Sequence, residues 1–228
     1  MSETRKLAAI LVADIVGYSR LAAADEDRIL ARLRTLRSDL IDPTNSGVHN
    51  EKAWLLASQG RFEEAIVERE RTLDLDPADV GAIQGMAWDH LALGHFEKGL
   101  ELFDKAIRLS PRDPQLRWMD QGKGWSYFGL KEYDQAIDWT RRAIAVEPNN
   151  PFPHANLAAA LALTGHEAEA REALQRYLAL PSSAQNIAEI KAFNARFTDV
   201  NRRVLDSRER LYEGLRKAGM PEGEAKTN

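Results

Sequence analysis

At 228 residues the chain is long enough for one or two domains with a sizeable core, and its 44% apolar and 29% charged residues are those of a soluble globular protein. A net charge of −4 argues against a phosphate-binding face, and therefore against nucleic acid as a partner. The absence of cysteine excludes disulfides, thiolate metal sites and a cysteine nucleophile, and it fits a reducing compartment.

The longest apolar run, Leu7 to Val16, is too short to span a bilayer. Asp14 inside it suits a buried strand better than the core of a signal peptide, so a cytoplasmic protein with no membrane partner is expected. Residues 5–21, RKLAAILVADIVGYSRL, read as that strand, a tight turn at Gly17 and a helix start. The helix continues to about Ile41 with Ile29, Leu33, Leu36 and Leu40 on one stripe, and Pro43 ends it.

The words Ala13-Asp14-Ile15-Val16-Gly17-Tyr18-Ser19-Arg20-Leu21, then Asp25-Glu26 and Leu40-Ile41-Asp42-Pro43, resemble the opening of a class III nucleotide cyclase catalytic domain. The resemblance implies that Asp14 matches the first of two metal-binding aspartates, and that Ile15 to Ser19 match the phosphate-cradling loop. The Gly-Asp-Gly hairpin that carries the second aspartate occurs nowhere in the chain. Two-metal catalysis needs both carboxylates, so residues 1–42 read as a truncated cyclase fragment with a vestigial ligand at Asp14. No cofactor is expected; Mg²⁺ or Mn²⁺ would enter only if another chain completed the site. An orphan strand could pair with a second copy as a homodimer, turn helical, or lie against the next segment.

From residue 47 the sequence repeats. Gly60-Arg61-Phe62-Glu63-Glu64-Ala65-Ile66 returns as Gly94-His95-Phe96-Glu97-Lys98-Gly99-Leu100, as Lys131-Glu132-Tyr133-Asp134-Gln135-Ala136-Ile137, and more weakly as Gly165-His166-Glu167-Ala168-Glu169-Ala170. Phe62 to Phe96 is 34 residues, Phe96 to Tyr133 is 37, and Tyr133 to Glu167 is 34. Pro77, Pro111, Pro148 and Pro181 close the units. This resembles the tetratricopeptide repeat, a helix–turn–helix unit of about 34 residues. The resemblance implies an all-α solenoid of about four units: 47–79, 80–113, 117–150 and 151–182.

The repeated residues are architecture. The glycines suit a left-handed stop to the first helix of each unit, helix A. Ala65, Gly99, Ala136 and Ala170 are small where the second helix, B, crosses it, and Phe62, Phe96 and Tyr133 wedge between the two. The closing prolines end helix B. In the first unit Arg69 and Thr72 stand where a bulky apolar residue and an alanine are usual, so loose packing is expected there. Three extra residues around Pro114 to Trp118 predict a longer turn.

The A helices of such repeats line the inner wall of the solenoid. That wall would carry Gln84, Trp88 and Leu91 in unit two, Trp118, Gln121, Trp125 and Phe128 in unit three, and Phe152 and Asn156 in unit four. Each tryptophan either packs between repeats or faces a groove; the set suits a groove for a protein or peptide, because tryptophan is enriched at binding hot spots. Residues 43–186 hold 15 basic and 21 acidic side chains, which favours a partner with basic character.

Beyond the repeats, Asn186 to Gly219 reads as two amphipathic helices parted near Thr198, with Ile187, Ile190, Phe193 and Phe197 on one stripe and Val204, Leu205, Leu211 and Leu215 on the other. A solenoid needs a cap over its last core face, so 183–219 is expected to cap the array and 220–228 to form a disordered tail. His90 and His95 read as surface residues, and Gly122-Lys123-Gly124 lacks the rest of a phosphate loop. No catalytic dyad or triad emerges.

The ending Leu215-Arg216-Lys217-Ala218-Gly219-Met220-Pro221-Glu222 resembles the tails of bacterial proteins that carry a cyclase domain before tetratricopeptide repeats. The chain then reads as the two ends of such a protein, with the catalytic middle missing. The function expected is protein–protein interaction, as its regulatory or scaffolding part, and not enzymatic. The alternatives are a cyclase active only with a complementary catalytic half, and a regulatory remnant with no function of its own.

Overall fold

A computed structural model describes residues 46–113, 116–181, 183–195 and 201–223. The strand and helix expected over 5–41, the vestigial ligand Asp14, and Phe197, Thr198 and the last five residues lie outside the described residues. Among the described residues the chain forms ten α-helices and no strand.

Eight helices make four A–B pairs: α1 (Ser46–Ser58) with α2 (Phe62–Leu75), α3 (Val80–Ala92) with α4 (Phe96–Leu109), α5 (Leu116–Leu130) with α6 (Tyr133–Val146), and α7 (Pro151–Leu163) with α8 (Glu167–Ala179). Two further helices follow, α9 (Ile187–Asn194) and α10 (Arg202–Ala218). The turn inside each pair needs one left-handed residue. Gly60, Gly94 and Gly165 supply it at φ of 79°, 75° and 83°, and in the third pair Lys131 supplies it at φ 67°. Each B helix starts with an acidic first turn, which suits the positive end of its dipole. Each ends two residues before a closing proline.

Two compact units divide the chain after Ala82. In the first, α1 and α2 share a small apolar core of Ala53, Leu56 and Ala65. Glu68, Arg69 and Thr72 of α2 are buried beside it. The expected looseness is absent, because α1 satisfies them: His49 Nδ1 and Lys52 Nζ lie 2.7 and 3.2 Å from the Glu68 carboxylate, and Arg69 Nη1 donates to Asn50 Oδ1 at 2.6 Å. The Thr72 hydroxyl donates to the Ser46 carbonyl at 3.2 Å.

In the second unit the same B-helix positions are apolar: Gly99, Leu102, Phe103 and Ala106 of α4 are all buried. The Phe103 ring is the wedge of this layer. Trp88 of α3 meets it edge-on at 5.6 Å, and the absence of a side chain at Gly122 lets α5 approach it, since a Cβ there would come within 2.2 Å of the ring. The 15-residue α5 is two residues longer than the other A helices, so part of the insertion around Trp118 extends a helix.

The alanine-rich α7 is buried around most of its circumference, as a helix apolar on all sides must be. α6 and α8 cover two sides, and α10 covers the third. At the crossing, Gly214 of α10 lies so near Ala159 that a Cβ would stand 2.6 Å from the Ala159 carbonyl oxygen. Tyr212, Leu215, Ala218 and Met220 complete this core.

Candidate functional site

The A-helix side of the second unit holds the residues expected to line a groove, and the structure divides them. Phe128 is in the core at 3% exposure, and Gln84, Leu91, Gln121 and Asn156 are buried too. Gln121 Oε1 accepts from Asn150 Nδ2 at 2.9 Å, and Asn156 Nδ2 donates to Thr140 Oγ1 at 3.4 Å. These side chains hold neighbouring helices together. Asn150 also caps α7, its side chain accepting from the Phe152 amide at 3.2 Å.

Trp88 and Trp118 are half-buried, the first spent on Phe103. Trp125 and Phe152 keep 39% and 46% of their surfaces open. Phe193 of α9 lies 6.1 Å from Phe152, ring to ring, and is itself exposed. Trp54, in the first unit, is the most open tryptophan at 60%. It stands 34 residues before Trp88 and 71 before Trp125, at the same place in its repeat, a register readable in the sequence but not among the groove residues expected.

The wall has an occupant. α10 runs from the edge of the second repeat to the middle of the fourth, against the A helices α5 and α7, the start of α4 and part of α8. Its N-cap residue Asn201 donates through Nδ2 to the Leu93 carbonyl. Arg203 forms a bidentate pair with Glu97, at 2.7 and 2.9 Å, and its guanidinium lies 5.2 Å from the Phe96 ring centre. Arg210 donates to the Gly129 carbonyl at 2.8 Å, and Gly214 rests on Ala159. The Arg203 hydrogen bonds hold the Glu97 carboxyl below the usual carboxylate range.

A second polar cluster lies between α4, α5 and α6. Lys123 is buried, pairs with Asp104 at 2.6 Å and lies 3.6 Å over the Trp139 ring; Arg142 lies 4.1 Å from the same ring centre. Burial pushes the Asp120 carboxyl up, against the charges of Arg142 and Lys123, and its Oδ1 has no hydrogen-bond partner. Asp120 and Lys123 take the places of Ile83 and Met86 one repeat earlier, so a 37-residue comparison marks them. Among the described residues, no group of three or more metal-ligating side chains is assembled, and no helix is long and apolar enough to cross a membrane.

Residues 85–152 and 151–176 match family models of the tetratricopeptide repeat. The chain carries tetratricopeptide repeats. It is similar in fold to YrrB, described as a TPR protein with an unusual peptide-binding site, at 19% identity and TM-score 0.55 over 81% of this chain and 90% of that one. PilF of Pseudomonas aeruginosa superimposes with TM-score 0.61 at 14% identity, over 87% and 84% of the two chains. A thermophilic TPR protein of Thermus thermophilus does so with TM-score 0.54 at 22% identity, over 77% and 92%. No curated protein matches the sequence.

Proposed function

We propose that the chain is a non-enzymatic protein-interaction module that holds a helical segment of another protein on the A-helix wall of its second unit. The observation that carries this reading is α10, which lies on that wall as a helix with six basic and three acidic side chains. The wall therefore accepts an amphipathic helix of basic character, in keeping with the acidic excess of residues 43–186. Trp125, Phe152 and Phe193 are the open aromatic anchors beside it.

The test is a helical peptide selected against the full chain, with its affinity compared between wild type and Trp125→Ala. A loss of about tenfold or more is expected. A selected peptide indifferent to both Trp125→Ala and Phe152→Ala would remove the wall from consideration.

The resemblance of residues 5–43 to a cyclase opening supports a finer reading, in which the module is the regulatory or scaffolding part of a cytoplasmic cyclase–repeat protein. Incubated with ATP or GTP and Mg²⁺ or Mn²⁺, the purified chain should form no cyclic nucleotide. Turnover abolished by Asp14→Ala would reverse that reading.

A further inference from the structure

The two halves of α10 are held by different forces. The back half is locked by apolar burial: Tyr212, Leu215 and Ala218 are almost wholly covered, and Met220 just beyond them is too. The front half is polar, and Leu205 stands exposed within it. Its attachments to the second repeat are the Asn201 bond to the Leu93 carbonyl and the Arg203 pair with Glu97 beside Phe96. The ion pair is half-exposed on both sides, so water competes for it and salt screens it. The geometry is nonetheless specific. A forked carboxylate takes both ends of a guanidinium, and an aromatic ring lies beside it. The Leu93 carbonyl, in the turn just ahead of the helix-starting Phe96, accepts from the residue that caps the incoming helix.

That is the composition of a recognition site for one short motif, a helix-capping asparagine followed two residues later by an arginine. Gly94 belongs to the same site. A Cβ there would stand 2.6 Å from Asn201 Oδ1, so the turn stays bare where the asparagine seats. Glu97 and Phe96 are ordinary repeat residues in sequence; only the fold places them under a visiting arginine.

We propose that Leu93, Gly94, Phe96 and Glu97 form an arginine-reading docking site, filled in cis by Asn201 and Arg203, and that a protein partner presenting the same Asn-x-Arg helix start displaces the front half of α10. This inference rests on the protein-holding function above and names the partner's chemistry. A tethered competitor holds its site at high effective concentration, so the partner meets a site that is free only part of the time. Its apparent affinity falls by that fraction. The cis segment thereby sets a threshold for binding.

The experiment uses the full chain and a fluorescent peptide of sequence NRRVLDSRERL, blocked at both ends. Replacing Asn201 and Arg203 together by alanine empties the site without touching the buried half of α10. That variant should bind the peptide about fivefold more tightly than wild type. Adding Glu97→Gln, or replacing the peptide's third residue by alanine, should weaken that binding about fivefold. In parallel, amide hydrogen exchange should quicken at 203–208 in the variant and stay slow at 212–218. Equal affinity of wild type and variant, indifference to Glu97→Gln, or no binding at millimolar peptide would overturn the proposal. A selected ligand that depends on Trp125 but not on Glu97 would sink this site and leave the module's general function standing.

Discussion

The second helix of the first repeat and that of the second, α2 and α4, solve one packing problem with opposite chemistry. Counting 34 residues forward, Ala65, Glu68, Arg69 and Thr72 become Gly99, Leu102, Phe103 and Ala106. Both sets are buried. In α4 the helix is held by removal of apolar surface from water and by the fit of Phe103 between Trp88 and Gly122. In α2 three charged or polar groups go inside because α1 offers a partner to each. The period of the repeat specifies backbone positions and side-chain size; it does not require that the filling be hydrophobic. What it requires is that each buried polar group be satisfied, and an unsatisfied member would cost far more than an apolar residue in its place.

Phe103→Ala should give the largest effect, a loss of about 3–5 kcal/mol from the second unit in urea unfolding. A loss under about 1 kcal/mol would mean that the layer does not rest on this wedge. Glu68→Ala should cost the first unit about 2 kcal/mol, because it strands His49 and part of the charge of Lys52 and Arg71. Glu68→Gln should recover part of that loss, by keeping a hydrogen-bond acceptor in place. If the polar network were incidental, both substitutions would be silent in thermal melts.

Lys131→Gly should raise stability by about 1 kcal/mol, since it removes a side chain from a left-handed backbone that the other three turns give to glycine. A destabilised variant would show that Lys131 makes contacts worth more than its strain.

Acid should separate the polar sites most subtly. Burial alone would raise the Glu68 pKa, but hydrogen bonds from His49 and Lys52 and the charges of Lys52 and Arg71 outweigh it and hold the group low. Its contribution is therefore present above the ordinary glutamate range and lost as pH falls through the depressed value. Asp120 is held high by burial, so its contribution has the reverse sign: greatest below the ordinary aspartate range and lost as pH rises through the raised value. Unfolding followed from about pH 7 to about pH 3, the span over which carboxylates titrate, should show Glu68→Gln flattening the acid loss and Asp120→Asn removing an acid gain. Parallel curves for both variants would contradict these directions.

The fold was legible because its signal is redundant. Turn glycines, small crossing residues and closing prolines all recur at one period, and the four helix pairs follow them. The wall was legible only in outline. Trp88 and Phe128 look alike on a helical wheel to Trp125, yet the first packs on Phe103 and the second is enclosed; which of several apolar residues stays open depends on helices distant in sequence. Trp54 could have been found by carrying the tryptophan register back one repeat. The tight polar fill of α2 is not legible in the sequence, because His49 and Asn50 lie on another helix and sequence spacing does not pair them with Glu68 and Arg69. The return of α10 across the A helices left one trace, Gly214 in a helix interior, where a glycine marks close approach of another backbone. Its partner, Ala159, carries no such mark.

The central claim is that the A-helix wall of the second unit is where this protein holds another. Amide hydrogen exchange of the full chain, with and without a selected helical peptide, tests it most directly. The account predicts slowed exchange over 118–129 and 152–159 on binding, with α6, α8 and α4 beyond its first turn unchanged. Protection confined to those B helices, with α5 and α7 untouched, would contradict it.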